Sequence, residues 1–121
     1  MLVKSIYIEK LNQNVDFYIG ENAEDNTNIV INADDDDLWF HIYDLPSPHI
    51  LAVVHNILIE RKMIDRKAIR SIVVQGSLLC KQNSKYKSEK KVDIIYTKIK
   101  NVIPTDKLGS VNTSNTKHIF V

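Results

Sequence analysis

The segment 37–50, which reads DLWFHIYDLPSPHI, constrains the fold of this chain more than any other part of it. It contains the single tryptophan, two of the four histidines and two of the three prolines. The apolar residues of Leu38–Ile42 follow the pattern of a strand, and Pro46 and Pro48 stiffen the following turn because proline fixes the backbone angle φ. We therefore predict two short strands, Leu38–Ile42 and 49–54, that present polar side chains from one edge of a sheet.

The longest predicted helix runs from the N-cap residue Asp65 to about Asn83. At about 100° per residue, its apolar side chains fall on one arc and its basic side chains lie opposite. Gly76 lies near the centre of the apolar arc, where it permits a close approach of helix and sheet, and Cys80 is expected to be a buried core thiol. The apolar arc consists of Ala68, Ile69, Ile72, Val73, Gly76, Leu79 and Cys80, and the basic side of Arg66, Lys67, Arg70, Lys81 and Lys85.

Cap and turn residues place the remaining elements. Asn22 is the predicted N-cap of a short helix that extends through Ala33, with Ala23, Ile29 and Ile31 as its apolar residues. These elements predict an α+β fold in one domain, residues 1–121, with a mostly antiparallel sheet packed against one long helix plus a short helix. The other predicted strands are 5–8 and 15–19, joined by a turn at 12–14, then 92–98, and finally 117–121 after a turn marked by Pro104 and Gly109.

The net charge of +1 conceals two oppositely charged parts of the chain. Residues 1–59 contain two lysines and ten acidic residues, a net charge of −8, whereas residues 60–100 contain twelve basic and four acidic residues, a net charge of +8. A basic part of this size attracts phosphate-rich polymers, and an acidic part discourages unselective binding. The alternative is that the two parts neutralise each other across the fold.

The composition, with 44% hydrophobic and 26% charged residues, is typical of a soluble globular protein. No apolar run approaches the roughly 18 residues that a membrane-spanning helix needs, and the first residues do not resemble a signal peptide. The single cysteine, Cys80, excludes an internal disulfide and a cysteine-rich zinc site. We therefore expect a cytoplasmic location and no membrane partner.

The polar residues around the turn admit an enzymatic interpretation. His41 and His49 with Asp44 could act as general acid and base, and Ser47 beside a histidine resembles a nucleophile pair. However, the sequence has no nucleophile elbow, no glycine-rich phosphate loop and no evident oxyanion hole, and the spacing of the two histidines is not diagnostic of a metal site. The acidic run 34–37 lacks the pattern of a calcium loop and is interpreted as a solvated turn. We therefore expect no catalytic residues, metal or cofactor.

Short motifs along the chain resemble, in order, those of the NFACT-R domain, the presumed RNA-binding module of ribosome-quality-control factors of the NEMF and bacterial RqcH types. The D-L-W-F-H and P-S-x-H motifs together are the most specific, and the resemblance extends from about Val15 to Val121. The N-terminal domain and coiled coil of the long family members have no counterpart here, so the tailing of stalled chains is not implied. The matching segments are 20–22, 37–41, 46–49, 84–87, 94–97, Val102–Pro104, 109–111 and 119–121.

The resemblance implies an RNA-binding domain, associated with translation or ribosome quality control, that contacts tRNA or ribosomal RNA and has the ribosome as a further partner. Tyr86, Trp39 and His41 are candidates for stacking on bases. His41, Ser47 and His49 are expected to converge in one polar pocket at the turn. The candidate phosphate contacts, on one flank of the long helix and in the lysine-rich loop after it, are Arg66, Arg70, Lys81, Lys85, Lys87, Lys90 and Lys91.

A third interpretation is an adaptor that docks onto a protein or the ribosome through the turn 46–49 and the acidic face, without sequence-specific RNA contact. The three interpretations make different predictions. An RNA-binding domain shows salt-dependent RNA binding, an adaptor binds a protein stoichiometrically and with little salt dependence, and an enzyme turns over a substrate.

Overall fold

The chain forms eight strands in the computed structural model, which describes residues Met1–Val121. The strands are β1 (Leu2–Ile8), β2 (Gln13–Ile19), β3 (Leu38–Ile42), β4 (Ile50–Val53), β5 (Asp93–Lys98), β6 (Val102–Pro104), β7 (Val111–Thr113) and β8 (Lys117–Phe120). Six of them form one antiparallel sheet in the spatial order β1-β2-β4-β3-β5-β8, and β6 and β7 pair in a separate hairpin. With the helices described next, this architecture confirms the predicted α+β class.

Three helices accompany the strands: α1 (Ala23–Asn32), α2 (His55–Arg61) and α3 (Arg66–Gln82). The long helix α3 has nearly the predicted bounds, although Asp65 makes no capping hydrogen bond with its side chain. The sequence analysis missed α2, because a helix of seven residues is too short for a periodic pattern and Val54 at its N-cap has no capping side chain. None of the three helices is both long and apolar enough to cross a membrane.

The short helix α1 begins as predicted, but two of its three predicted apolar residues, Ala23 and Ile31, are exposed. Asn22 caps the helix, since its Oδ1 accepts the N–H of Asp25 at 2.8 Å. Ile29 and Val30 are buried, whereas Ile31 is 62% exposed. The buried pair shows that α1 presents residues 29 and 30, rather than 29 and 31, to the rest of the fold.

The strand-turn-strand unit forms the centre of the sheet. β3 has the predicted bounds and pairs with β4 in an antiparallel register in which Trp39 lies opposite Leu51. Because side chains alternate along a strand, Phe40 points to one face of the sheet and Trp39 to the other. We call these the helix face, on which α3 packs, and the hairpin face, which α1 and the β6–β7 hairpin cover.

On the helix face, Gly76 of α3 lies directly against the ring of Phe40. A Cβ atom at Gly76 would be 2.5 Å from two ring carbons of Phe40, far inside van der Waals contact. The predicted close approach of helix and sheet at this glycine is therefore confirmed. Cys80 is buried in the same interface, and burial raises the pKa of its thiol to about 12, as expected for a core thiol.

The hairpin face carries a second, smaller hydrophobic cluster that the sequence analysis did not predict. Trp39 and Leu51 of the sheet meet apolar residues of α1 and of the region around β6 there. The sheet is therefore covered on both faces in its centre. The other members of this cluster are Ile29, Val30, Ile99 and Val102.

The turn between β1 and β2 lies earlier than the predicted 12–14. It consists of a 3-10 turn at Glu9–Leu11 followed by Asn12, whose φ of 54° is a left-handed conformation that asparagine tolerates. Leu11 is buried. The burial of Leu11 anchors the turn before Asn12, so that β2 already begins at Gln13.

Asp37 belongs to the core, which corrects the interpretation of 34–37 as a solvated turn. Its side chain is 1% exposed. Its Oδ1 accepts the N–H groups of Val54 at 2.9 Å and His55 at 3.0 Å, and its Oδ2 accepts the N–H of Asp34 at 3.1 Å. The carboxylate thereby ties the start of β3 to the start of α2, while residues 34–36 remain at the surface.

Candidate nucleic-acid interface

Four segments that are far apart in the sequence meet at one end of the sheet and form a groove of about 690 Å³, here called the polar groove. The segments are 20–22 before α1, 46–48 between β3 and β4, 83–85 after α3, and 107–110 between β6 and β7. Each overlaps one of the short motifs quoted from the sequence above, at 20–22, 46–49, 84–87 and 109–111. Motifs that are separate in the sequence are thus adjacent in the structure.

Two glycines allow the segments that line the polar groove to pack closely against α1. A Cβ atom at Gly20 would lie 1.9 Å from Oδ1 of Asn26, an oxygen that accepts the N–H of His49 at 3.2 Å. Gly109 has a φ of 79°, which favours glycine, and donates its N–H to Oγ1 of Thr27 at 2.7 Å. Both glycines therefore bring α1 close to the other segments that line the groove.

The lining of the polar groove is polar and has a positive charge. The side chains of Lys85 and Lys107 line it, and neither ammonium group forms an ion pair. The one carboxylate in the lining, that of Glu21, is paired with the Met1 amino group at 2.6 Å. Amide and hydroxyl side chains surround these charges, a combination that suits a phosphate-bearing polar ligand. They are Asn22, Asn26, Ser47, Asn83, Ser84 and Ser110.

The lysine-rich segment 85–91, here called the basic loop, continues from the rim of the polar groove. Lys87, Lys90 and Lys91 are exposed, whereas Tyr86 is half-buried against the main core. Lys81 is also half-buried, and its Nζ donates a hydrogen bond to the carbonyl oxygen of Val121 at 3.1 Å. The loop therefore presents a compact set of free ammonium groups, to which Lys81 does not belong.

The predicted continuous basic stripe along α3 is interrupted. Arg66 and Arg70 are exposed near the start of the helix. The next basic residue on the helix is Lys81, about 16 Å further along at a rise of 1.5 Å per residue. The half-buried apolar residues Val74 and Leu78 lie on the solvent side between them. The basic surface therefore consists of two patches, one at the start of α3 and one in the basic loop.

The predicted pocket of His41 and His49 is a packed cluster with Trp39. The two histidine rings are 5.2 Å apart between centroids, and Nε1 of Trp39 donates a hydrogen bond to Nδ1 of His49 at 3.1 Å. Trp39 is 1% and His49 2% exposed. His41 and His49 therefore converge as predicted. The predictions that Trp39 stacks on a base and that His49 is available in a pocket for RNA are wrong, because α1 and the β6–β7 hairpin cover this face. Only His41 is half-exposed, and burial lowers its pKa.

The hydroxyl of Ser47 stabilises the proline-rich turn from inside. Its Oγ accepts the N–H of Ile42 at 3.0 Å and donates to the carbonyl oxygen of Pro48 at 3.0 Å. The Sγ atom of the buried Cys80 lies 3.7 Å from Oγ of Ser47. Ser47 thus lines the polar groove with its hydroxyl already engaged in holding the end of β3 to the turn.

We expect mild acid to destabilise the protein through His49. Burial lowers its pKa from the ordinary 6.5 to about 3, so the unfolded chain takes up a proton that the folded protein excludes. The contribution of His49 to the free energy of unfolding is therefore fully present above pH 6.5 and decreases as the pH falls toward 3. At pH 5 the free energy of unfolding should be lower by about 2 kcal/mol. Urea unfolding followed by the fluorescence of Trp39 at pH 7 and pH 5 measures this loss.

The variant His49→Asn provides the control for this pH dependence. Asparagine offers an acceptor to Trp39 Nε1 but cannot take up a proton, so the difference in unfolding free energy between pH 7 and pH 5 should shrink by about 2 kcal/mol. An equally large difference in the variant and in the wild-type protein would contradict the assignment to His49.

Comparison with known proteins supports the fold and gives no information about function. No protein-family model matches the chain, and no curated protein matches it. Among solved structures, the C-terminal part of the fibronectin/fibrinogen-binding protein from Streptococcus suis is similar, with a TM-score of 0.72 and 19% sequence identity. The match covers 88% of this chain and 40% of that chain. At this identity the similarity shows a shared fold, and the chain spans less than half of the length of that structure.

Proposed function

We propose that this chain is an RNA-binding domain of the NFACT-R type, associated with translation or ribosome quality control, that contacts tRNA or ribosomal RNA. The observation that supports this most is the meeting of four motif segments around the polar groove, with the basic loop at its rim. Phosphate contacts supply the affinity for RNA, and neutral polar groups recognise exposed bases. The basic loop offers phosphate contacts and the polar groove offers neutral polar groups, as expected of a binding domain rather than of an enzyme.

A strand of RNA would run from the basic loop, through Lys85, into the polar groove, where Lys107 lies on another wall. Tyr86, beside the lysines, and His41 are the remaining candidates for stacking, and both are half-buried. Arg66 and Arg70 form a separate phosphate contact at the other end of α3. Trp39 and His49 have no direct contact with RNA in this proposal, because both are buried.

Neutralising the basic loop should weaken RNA binding and reduce its salt dependence. The variant replaces Lys85, Lys87, Lys90 and Lys91 by glutamine and leaves Lys81 unchanged, since Lys81 has an internal partner. Each lost phosphate contact lowers the slope of log affinity against log salt by roughly 0.7–0.9, so the four substitutions should lower it by about 3. Titration of a labelled single-stranded RNA and of a tRNA at several salt concentrations measures the slope.

A matched variant separates this interface from the effect of net charge. The control replaces four lysines at the other end of the sheet by glutamine and so removes the same number of charges. These lysines are Lys62, Lys98, Lys100 and Lys117. This control should retain most of the RNA affinity and nearly the wild-type salt slope. If both folded variants lose affinity equally, or if the loop variant keeps the wild-type slope, the proposed interface is wrong.

Protein docking is the second candidate function. The structurally similar chain from Streptococcus suis belongs to a protein named for binding fibronectin and fibrinogen. In the present chain, the large apolar side chains of Tyr43 and Leu45 are exposed just before the turn 46–48. Exposed apolar residues beside a rigid turn favour a protein contact. Binding of a ribosomal protein that withstands high salt and is lost in Leu45→Ser would support this function over RNA binding.

A further inference from the structure

A second groove, of about 630 Å³, lies at the opposite end of the strands from the polar groove. Its walls come from the start of β3, the end of β5, the start of β8, the segment between α2 and α3, and the first turns of α3. Half of its sixteen lining residues are hydrophobic. We call it the lysine-rimmed groove, because Lys62, Lys98, Lys100 and Lys117 line its edge.

The floor of the lysine-rimmed groove is apolar and accessible. Leu58, Ile69 and Tyr96 are only partly buried by the fold, and Met63 at the entrance is 74% exposed. Aliphatic side chains of a partner would bury this surface and gain free energy in proportion to the area removed from water. RNA has no aliphatic groups to place there, so the floor favours a peptide over a nucleic acid.

The rim has an excess of positive charge, although Asp34 and Asp36 lie in an adjoining pocket together with Lys62 and Lys98. Lys98 forms one loose ion pair, 3.7 Å from Asp36, which is the single acidic residue in the lining. The ammonium groups of Lys62, Lys100 and Lys117 form no ion pair. Three unpaired cations around an apolar floor are complementary to a segment that carries carboxylates beside aliphatic side chains.

We propose that the lysine-rimmed groove binds an acidic amphipathic segment of a partner protein. The aliphatic side chains of the segment contact Met63 and the floor, and its carboxylates contact Lys62, Lys100 and Lys117. This site is separate from the polar groove and the basic loop and does not depend on RNA binding there. It gives the chain a protein contact at one end of the sheet and, under the proposed function, an RNA contact at the other.

The groove can be probed with a fluorescein-labelled peptide of about twelve residues in which leucines recur at helical spacing between glutamates. A second peptide with serine in place of every leucine tests the contribution of charge alone. Titration of the full chain, followed by fluorescence anisotropy, gives the affinities. Amide chemical shifts of the ¹⁵N-labelled chain locate the peptide, and we expect the largest shifts at residues 58–64, 96–101 and 115–117.

The test variant combines Lys62→Gly, Lys100→Gln and Lys117→Gln. Lys62 has a φ of 63°, a conformation that favours glycine, so Lys62→Gly should not lower the melting temperature. Losing three exposed charge contacts should weaken binding of the leucine peptide about tenfold. The control variant Lys85→Gln, Lys87→Gln and Lys90→Gln removes the same charge from the basic loop and should leave peptide binding within about twofold.

The outcomes separate this inference from the proposed RNA function. Tenfold weaker peptide binding in the groove variant alone, with RNA binding retained, supports a protein site that is independent of RNA. The inference is overturned if the wild-type chain does not bind the leucine peptide at about 1 mM, if the serine peptide binds equally well, or if the groove variant binds like the wild-type protein. Absence of RNA binding in every variant would overturn only the proposed RNA function.

Discussion

Gly76→Leu should destabilise the fold by about 3 kcal/mol, the upper end of the usual cost of overpacking a core. The Cβ atom alone would lie 2.5 Å from the ring of Phe40, and Phe40 is fully buried in the central strand β3. The helix and the sheet would have to separate, which exposes part of the main core. Chemical denaturation of the purified variant measures the loss as a lower midpoint.

A double-mutant cycle tests whether Phe40 is the cause. Gly76→Ala alone should be destabilising, although alanine favours a helix over glycine by about 1 kcal/mol. In a Phe40→Leu background the same substitution should cost much less, so that the two effects are not additive. Gln75→Leu, one residue away on the half-exposed side of α3, should change stability by about 0.5 kcal/mol or less. Additive effects at positions 76 and 40 would refute the proposed contact.

Asp37→Ala should cost about 3 kcal/mol or more. The side chain accepts three backbone N–H groups, two of which lie at the junction of β4 and α2. Alanine would leave these donors without partners, and an unsatisfied buried polar group costs roughly 1–3 kcal/mol. Thermal or urea unfolding of Asp37→Ala and of Asp36→Ala measures the difference. The neighbouring Asp36 is half-exposed, and its only ion pair is loose, so its replacement should cost less than about 1 kcal/mol.

The pH dependence of stability gives a second test of Asp37. The ring of His55 lies 2.9 Å from Oδ1 of Asp37, and this hydrogen bond raises the pKa of His55 above 6.5. The contribution of this hydrogen bond to the free energy of unfolding is fully present below pH 6.5 and is lost as the pH rises through the raised pKa of His55. Asp37→Asn should abolish this loss of stability at higher pH. It should not change the loss of stability in mild acid that is caused by His49. If the alkaline limb persists in Asp37→Asn, the pairing of His55 with Asp37 does not control it.

The elements whose prediction succeeded are those specified by neighbouring residues. The bounds of β3 follow from a short, mostly apolar and aromatic run between an acidic segment and a turn. The start of α1 follows from the capping side chain of Asn22, and α3 follows from a periodic pattern over seventeen residues. The position of Gly76 in the apolar arc of α3 already indicated a close contact with the sheet. The short helix α2 was missed because seven residues carry too little periodic signal.

The candidate site was predicted less completely, because its parts meet only in the folded chain. The lysines of the basic loop lie within a segment of seven residues and were identified directly. The polar groove also requires residues 20–22 and 107–110, which are far from the basic loop in the sequence and reach it only through the fold. The lysines of the second groove come from three separate segments, and no spacing in the sequence brings Lys62 together with Lys117.

The sequence by itself determined the approximate positions of the six strands of the main sheet and of the helices α1 and α3, and which side of α3 is apolar, because these properties depend on contacts within a few residues. Only the tertiary structure decided the roles of Trp39, His49 and Asp37. An alternating strand has two faces, and its sequence does not state whether distant segments cover the second one. Here α1 and the β6–β7 hairpin fold over that face, so Trp39 and His49 become buried core rather than a surface pocket. Asp37 likewise is buried because Val54 and His55, far along the chain, supply its hydrogen-bond donors.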